Sequence, residues 1–241
     1  MQMRLPLNAI HWYVALPLLA FVAYKSFQSQ KSGPNLLNTF FGLSAITFFF
    51  SLVFYGITPL VVPQTSILLT YTTIIGDALQ FLALFWIWLA VARIYFPDRK
   101  GVLYLVAFLD VIIICVGMWF SVQENLANPV IMQYVNGAWQ IEFAFSRGYQ
   151  LVTAVQYLSL PLISARFLAQ GWGTQDVAKK IRLFVLAILF LIVGGLYVLR
   201  PIFDFSANLN SISYVLAAAF LLGVIFLFAA FWLQRRRQGT A

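Results

Sequence analysis

The chain has 241 residues, of which 62% are hydrophobic, 17% aromatic and only 9% charged, with a formal net charge of +8 and a mean hydropathy of +0.89. No water-soluble domain of this length has such a composition, so a soluble catalytic domain and a DNA-binding domain are both excluded. Nearly every residue belongs to a long apolar run or to a short connector between runs.

Seven such runs follow one another. Each is close to the ~20 residues needed to cross a hydrocarbon core of ~30 Å. The first lies near 9–28. Only Arg4 precedes it, and Ala20-Phe21-Val22-Ala23-Tyr24-Lys25 is a poor cleavage site, so it reads as a span, not a removable leader. Ser32-Gly33-Pro34-Asn35 breaks the chain before the second run, 36–58, which Thr58-Pro59 ends. Pro63-Gln64-Thr65-Ser66 leads into the third, 66–92, with Thr65 or Ser66 as its N-cap. Pro97-Asp98-Arg99-Lys100-Gly101 is a tight turn before the fourth, 101–121. The stretch 122–142 is the one long connector. It holds no Lys or Arg but contains Glu124, Asn125, Asn128, Pro129, Asn136, Gly137 and Glu142, and it is expected to be a lid, a short hairpin or a plain linker. The fifth run, 143–165, and the sixth, 181–199, follow; Arg200-Pro201 closes the sixth. The seventh, 210–233, leads into Arg235-Arg236-Arg237.

Threaded back and forth, these runs put twelve of the fifteen Lys and Arg residues on one side: Lys25, Lys31, Arg93, Arg99, Lys100, Arg166, Lys179, Lys180, Arg182 and Arg235 to Arg237. Only Arg4, Arg147 and Arg200 fall on the other. The positive-inside bias places the N-terminus outside and the C-terminus in the cytoplasm. The expected fold is therefore all-α: one domain, 1–241, forming a bundle of seven transmembrane helices in a bacterial inner membrane. The basic residues orient the chain and meet anionic lipid heads. Arg235 to Arg237 read as a stop-transfer anchor, so the lipid bilayer is an expected partner and nucleic acid is not.

Polar side chains inside the spans should face the bundle interior or a wet cavity, because facing lipid is costly. Three spans carry polar stripes at steps of three or four, which line one helix face. They are Ser44, Thr47, Ser51, Tyr55 and Thr58 in span 2; Thr70, Thr73, Asp77 and Gln80 in span 3; and Ser146, Gln150, Thr153 and Tyr157 in span 5, continued by Pro161 and Ser164. A central seam where spans 2, 3 and 5 meet is expected. It would be either a functional cavity or ordinary interhelical bonding worth about 0.6 kcal/mol per contact.

Two acids sit deep, Asp77 in span 3 and Asp110 in span 4. No cation is expected at their level, so each should be neutral or satisfied by Thr and Gln neighbours, and antiparallel spans would let the two share a proton. A second cluster of charge gathers at the outer ends: Glu142 and Arg147 at the start of span 5, Arg200 and Asp204 at the end of span 6. An Arg fork there would suit a carboxylate or phosphate. Exposed ion pairs are the plainer account. Trp12, Trp119, Trp139, Trp172 and Trp232 lie near run boundaries and form an interfacial belt, and Gly194-Gly195 should permit close helix approach.

His11 is the only histidine and Cys115 the only cysteine. A bis-histidine haem, a His-rich metal centre and an intrachain disulfide are excluded. No Ser-His-Asp set, phosphate loop or metalloprotease helix is present, so no cofactor and no enzymatic activity are expected. Lys25, Lys31, Lys100, Lys179 and Lys180 all stand at cytoplasmic ends, which leaves no buried lysine for a retinal Schiff base. G-protein-coupled receptors and microbial rhodopsins share the topology, but Pro97-Asp98-Arg99-Lys100 is not a receptor Asp-Arg-Tyr and span 7 has no Asn-Pro-x-x-Tyr. Leu16-Pro17-Leu18 recurs as Leu160-Pro161-Leu162, and Arg93 falls on Arg237 at the same offset, which suggests a parallel three-plus-one-plus-three layout. That layout is similar to one class of sugar transporters, although Pro63-Gln64 falls in a connector.

Taken whole, with seven apolar runs, short connectors and a basic tail, the chain resembles the seven-helix membrane sensor modules found ahead of bacterial histidine kinases and other bacterial seven-helix membrane proteins of its size. The resemblance implies a non-enzymatic binding or sensing protein that passes its signal to a protein partner, since no output domain follows the last run. A small molecule or lipid would enter from outside between spans 2, 3, 5 and 6. Glu142, Arg147, Arg200 and Asp204 would line the mouth, with Gln150, Asp77 and Gln80 deeper. A proton- or ion-coupled transporter using Asp77 is the second expectation, and a structural subunit of a larger membrane complex the third.

Overall fold

Residues 6, 9–30, 35–62, 66–135, 138–142, 146–202 and 209–239 are described in a computed structural model, which is 86% helical. The helices are α1 (Ile10–Gln30), α2 (Leu36–Val61), α3 (Ile67–Tyr95), α4 (Lys100–Ala127), α5 (Arg147–Tyr157), α6 (Ser159–Gly173), α7 (Val177–Leu199) and α8 (Leu209–Gly239). Two strands, β1 (Ile131–Val135) and β2 (Ala138–Glu142), stand between α4 and α5. Among the described residues six helices are long and apolar enough to cross a membrane: α1, α2, α3, α4, the α5–α6 pair and α7. Within α8, Tyr214–Leu227 forms a shorter apolar stretch.

Local chemistry explains where these helices start and stop. Asn35 caps α2 by accepting from the Leu37 N–H at 2.9 Å. Ser66 caps α3 through the Leu68 N–H at 3.2 Å, while Thr65 lies outside the described residues. Asp176 accepts from Ala178 and Lys179 N–H, which starts α7 at Val177, four residues earlier than the apolar pattern indicates. Pro59 does not end α2. It sits in the last turn, where its missing N–H costs only the one intrahelical bond to the Tyr55 carbonyl, and the helix runs on to Val61. α4 continues past 121 to Ala127, its last turns held by the Asn125 amide donating to the Ser121 carbonyl at 2.8 Å.

The fifth run is broken. Leu158 separates α5 from α6. Pro161 has no N–H to offer the carbonyl one turn back, and the Ser159 hydroxyl takes the Gln156 carbonyl at 2.9 Å. α1 by contrast runs unbroken through Pro17.

The connector 122–142 turns out to be part helix and part hairpin. β1 and β2 pair antiparallel with Met132 opposite Ile141 and Tyr134 opposite Trp139. Val130, Met132 and Ile141 are buried against Ala9 and Leu69, and the Val130 N–H donates to the Thr70 hydroxyl at 3.0 Å. The hairpin thus covers the starts of α1 and α3.

Consecutive helices pack side by side from α1 to α7, α8 packs on both α7 and α1, and α3 reaches across to α5 and α6. α4 stands in this ring between α3 and α5. α3 is the axis: 56% of its apolar window is buried, against 11% for α4 at the rim. The main core joins Phe40 of α2, Leu84 and Ile87 of α3, Tyr157, Leu160 and Ile163. The outer surface is apolar too. Tyr104, Phe108, Ile112, Val116 and Trp119 of α4 are all exposed, a composition that suits lipid and not water.

Candidate functional site

The stripe on α3 forms the floor of the site. Thr70, Thr73, Asp77 and Gln80 are all buried and share one face, stepping by three or four residues. Asp77 is 1% exposed and is held by three hydroxyls from three other helices. Tyr55 of α2 and Tyr149 of α5 both donate to Oδ1, the latter at 2.8 Å, and Ser121 of α4 donates to Oδ2 at 2.5 Å. A carboxylate accepts up to about four such bonds, so Asp77 is satisfied. Its partners are not the Thr and Gln neighbours expected from sequence; Gln80 touches the group only through the Tyr55 hydroxyl, 3.5 Å from its Oε1.

Each donor is positioned by its own surroundings. The Tyr55 ring lies on the backbone of Gly76, where an added Cβ would stand 2.9 Å from the ring, and Ser51 of the same helix donates to the Gly76 carbonyl at 2.8 Å. Tyr149 is placed by the start of α5. Ser146 caps the helix by accepting the Tyr149 N–H at 3.2 Å. Glu124, near the end of α4, accepts from both the Ser146 N–H (2.8 Å) and the Ser146 hydroxyl. Ser146, expected to line the seam, is therefore a cap.

Asp110 makes a separate pair. Its Oδ1 accepts the Gln156 side-chain N–H at 2.6 Å, and both residues are buried. Its Oδ2 and the Gln156 Oε1 have no hydrogen-bond partner among the described residues. Ser121, which touches Asp77, lies eleven residues along α4 from Asp110, or about 16 Å of helix. The two acids do not meet: each is hydrogen-bonded separately, and the shared proton that the sequence left open as an alternative has no geometry here.

Next to Asp77 lies a cavity of about 270 Å³, lined from α1, α2, α3, α5, α6, α7 and α8. Asp77, Gln80 and Arg200, all expected site residues, line it, as do Tyr55, Tyr149 and Thr153. Depths follow from three contacts. Tyr157 stacks on Tyr197 with ring centroids 3.9 Å apart and planes 4° apart. Gly194 lies so close to α6 that a Cβ there would stand 2.5 Å from Pro161 Cδ. α7 therefore runs antiparallel to α5 and α6, and Arg200, one turn beyond Tyr197, comes level with Thr153, one turn before Tyr157. The Asp77–Tyr149 bond and the Tyr95 hydroxyl donating to the Leu162 carbonyl set α3 parallel to α5 and α6, so Gln80, one turn beyond Asp77, also stands near the Thr153 level. Polar groups thus gather toward the hairpin end of the cavity. Toward the other end the walls are Leu19, Val22, Phe41, Phe48, Leu186 and Phe190, with Ser44 the polar exception.

Three other expected site residues stand away from the cavity lining. Glu142 is exposed on β2, where it accepts from Gln133 at 2.6 Å. Arg147 is exposed in the first turn of α5, and Gln150 is half-buried; neither lines the cavity. These three are placed by a strand and by the rotation of α5, neither of which hydropathy reveals. Asp204 lies outside the described residues. Of the tryptophans, Trp119 and Trp172 are exposed as a belt requires, but Trp12 lines the cavity and packs on Tyr55, centroids 5.2 Å apart. Tyr149, Ser121, Gln156 and Tyr197 were not anticipated. Only the first had a usable signal, its steps of four to Thr153 and Tyr157.

Comparison of the sequence with models of known protein families and with curated proteins finds no match.

Proposed function

We propose that the chain is a non-enzymatic binding or sensing protein of the bacterial inner membrane, with its ligand in the central cavity. The reading takes α8 as a seventh span, the hairpin end as the outer face and the basic tail as cytoplasmic. The cation bias of the connectors supports that orientation. The observation that carries the function is the cavity itself: about 270 Å³, ringed by seven helices, polar toward the hairpin end and apolar toward the other. An apolar pocket with a few convergent polar groups is what small-molecule sites look like. A signal would leave through a protein partner, by a shift of the helices that surround the ligand.

A transporter coupled through Asp77 is the second reading, because Asp77 borders the same cavity. It is the weaker one. A coupling acid must exchange partners each cycle, and Asp77 is tied to α2, α4 and α5 by three donors. Flux and binding assays in proteoliposomes separate the two. Saturable binding without flux is the expected result. Flux abolished by Asp77→Asn would select transport, and neither binding nor flux would leave only a structural subunit.

A further inference from the structure

Three buried polar atoms away from the cavity have no hydrogen-bond partner among the described residues, and the helix registers bring them to one place. They are Nε1 of Trp88 on α3, Oδ2 of Asp110 on α4 and Oε1 of Gln156 on α5. Asp110 and Gln156 are already joined through Oδ1 at 2.6 Å. Trp88 follows from register. Asp77 meets Ser121, and Phe81, four residues on, meets Gly117, four residues back, so α3 and α4 run antiparallel. Seven more residues each way lead to Trp88 and to Asp110. Eleven residues make about three whole turns, so both stay on the faces that carry the Asp77–Ser121 bond. None of the three residues lines the cavity.

A count of donors and acceptors shows what the group needs. An ionised Asp110 offers acceptors only, which leaves its Oδ2, the Gln156 Oε1 and the Trp88 N–H with two acceptors for one donor. One proton on Oδ2 completes the set. The new O–H donates to Gln156 Oε1, the amide N–H donates to Oδ1, and Oδ2 still accepts the Trp88 N–H. Turning the amide over exchanges the roles of the two carboxyl oxygens and still requires one proton. A metal cation beside Oδ2 would meet the Trp88 N–H, which repels it. Ionised acids are costly at mid-membrane depth unless paired. α4 packs on α3 and α5, and the ionisable groups of these helices stand elsewhere. On α3, Asp77 is three turns away, Arg93 is exposed and Tyr95 is bonded to Leu162. On α5, Arg147 is exposed, Tyr149 is bound to Asp77 and Tyr157 is stacked on Tyr197. On α4 itself, Tyr104 and Cys115 are exposed and Glu124 holds Ser146.

We propose that Trp88, Asp110 and Gln156 form an intramembrane proton-binding site, which latches α5 to α3 and α4 while the proton is bound. Gln156 lies two residues before the break at Leu158, and its carbonyl takes the Ser159 hydroxyl across that break. Release of the proton to the aqueous buffer leaves Oδ2 and Oε1 with no donor between them, and the broken end of α5 comes free. The site is distinct from the cavity and does not rest on a ligand there.

The test uses the full chain in liposomes, with isotope-labelled aspartate and infrared spectroscopy. At neutral pH the carbonyl band of a protonated aspartic acid is expected, lost in Asp110→Asn and kept in Asp77→Asn. Trp88→Phe and Gln156→Leu should each shift that band, because each removes a hydrogen bond to the carboxyl. Amide hydrogen exchange over residues 150–158 should be equal in wild type and Asp110→Asn at neutral pH. At an alkaline pH that removes the band, exchange should be at least tenfold faster in wild type than in Asp110→Asn at the same pH. Asp110→Asn reproduces the donor and acceptor of the protonated acid toward Gln156, so it should fold with a melting temperature near that of wild type. No such band at neutral pH, a band lost only in Asp77→Asn, a band unmoved by both Trp88→Phe and Gln156→Leu, or failure of Asp110→Asn to fold would each overturn the site. A band that no pH removes short of unfolding, or equal exchange once the band has gone, would overturn the latch.

Discussion

Tyr149→Phe tests whether the Asp77 cluster holds the bundle together. The change deletes one hydroxyl and keeps the ring, which packs edge-on against Phe81 with centroids 6.1 Å apart. Hydrogen bonds to charged groups contribute about 1.5–3 kcal/mol in soluble proteins, whereas interhelical bonds inside membranes average ~0.6 and reach ~1.7 kcal/mol. Asp77 keeps two donors after the substitution, so the loss should fall where the two ranges overlap, at about 1.5 kcal/mol, or slightly more than tenfold in the unfolding constant. The same substitution in an Asp77→Leu background should cost almost nothing, because the hydroxyl would have lost its acceptor. Reversible unfolding in mixed micelles, followed by circular dichroism for wild type, both single variants and the double variant, gives the coupling directly. A coupling energy below about 0.3 kcal/mol, the usual error of additivity, would show that Tyr149 and Asp77 do not act on each other and that the cluster does not join α3 to α5.

Three further outcomes are expected. Asp110→Asn offers Gln156 both an acceptor and a donor, so stability should stay within about 0.5 kcal/mol, while Asp110→Leu strands the Gln156 amide and should cost about 1–3 kcal/mol; equal losses in the same unfolding assay would refute the pair. Gly194→Ala forces a methyl group against Pro161 and should cost about 1–3 kcal/mol, while Gly195→Ala meets nothing within 4 Å and should be neutral or stabilising through helix propensity; melting temperatures that fall equally would contradict this packing. Cys115, the only cysteine and exposed on α4, should react in intact membranes with an apolar maleimide and not with a charged one; labelling by both would place that face of α4 in water.

The central seam could be read from the sequence because its residues obey helical spacing. Tyr55, Asp77, Gln80, Thr153 and Tyr157 lie at steps of three or four on spans 2, 3 and 5, and burial of polar groups away from lipid forces those faces together. The mouth could not be read in the same way. Hydropathy gives depth along a span and says nothing of rotation or local breaks. The apolar pattern starts span 5 at 143, but α5 begins at Arg147 with Ser146 as its cap, so the wall of the cavity is Tyr149 and Thr153 while Gln150 turns aside. Glu142 stands on a strand that no span pattern describes. Asp110 was visible as an isolated acid, but its partner Gln156 lies off the polar stripe by one position. Arg200 was placed at a surface mouth, and it borders the cavity because α7 runs antiparallel to α5, which brings it level with Thr153.

The interruption at Leu158 gives the fifth crossing a hinge at mid-depth. Its N–H is shared between the Ala154 and Val155 carbonyls at 3.2 and 3.3 Å, and its own carbonyl receives only a long bond from Leu162 at 3.4 Å. Weakened backbone bonds beside Pro161 make this the expected place for the crossing to bend. The segment on the hairpin side carries Tyr149, Thr153 and Gln156, and the segment beyond it is anchored by Ser164 donating to the Ala187 carbonyl at 2.7 Å. Displacement of the first segment can thus be absorbed without dragging the second, and the Tyr157–Tyr197 stack, seated at the pivot, would be the first contact to register the motion.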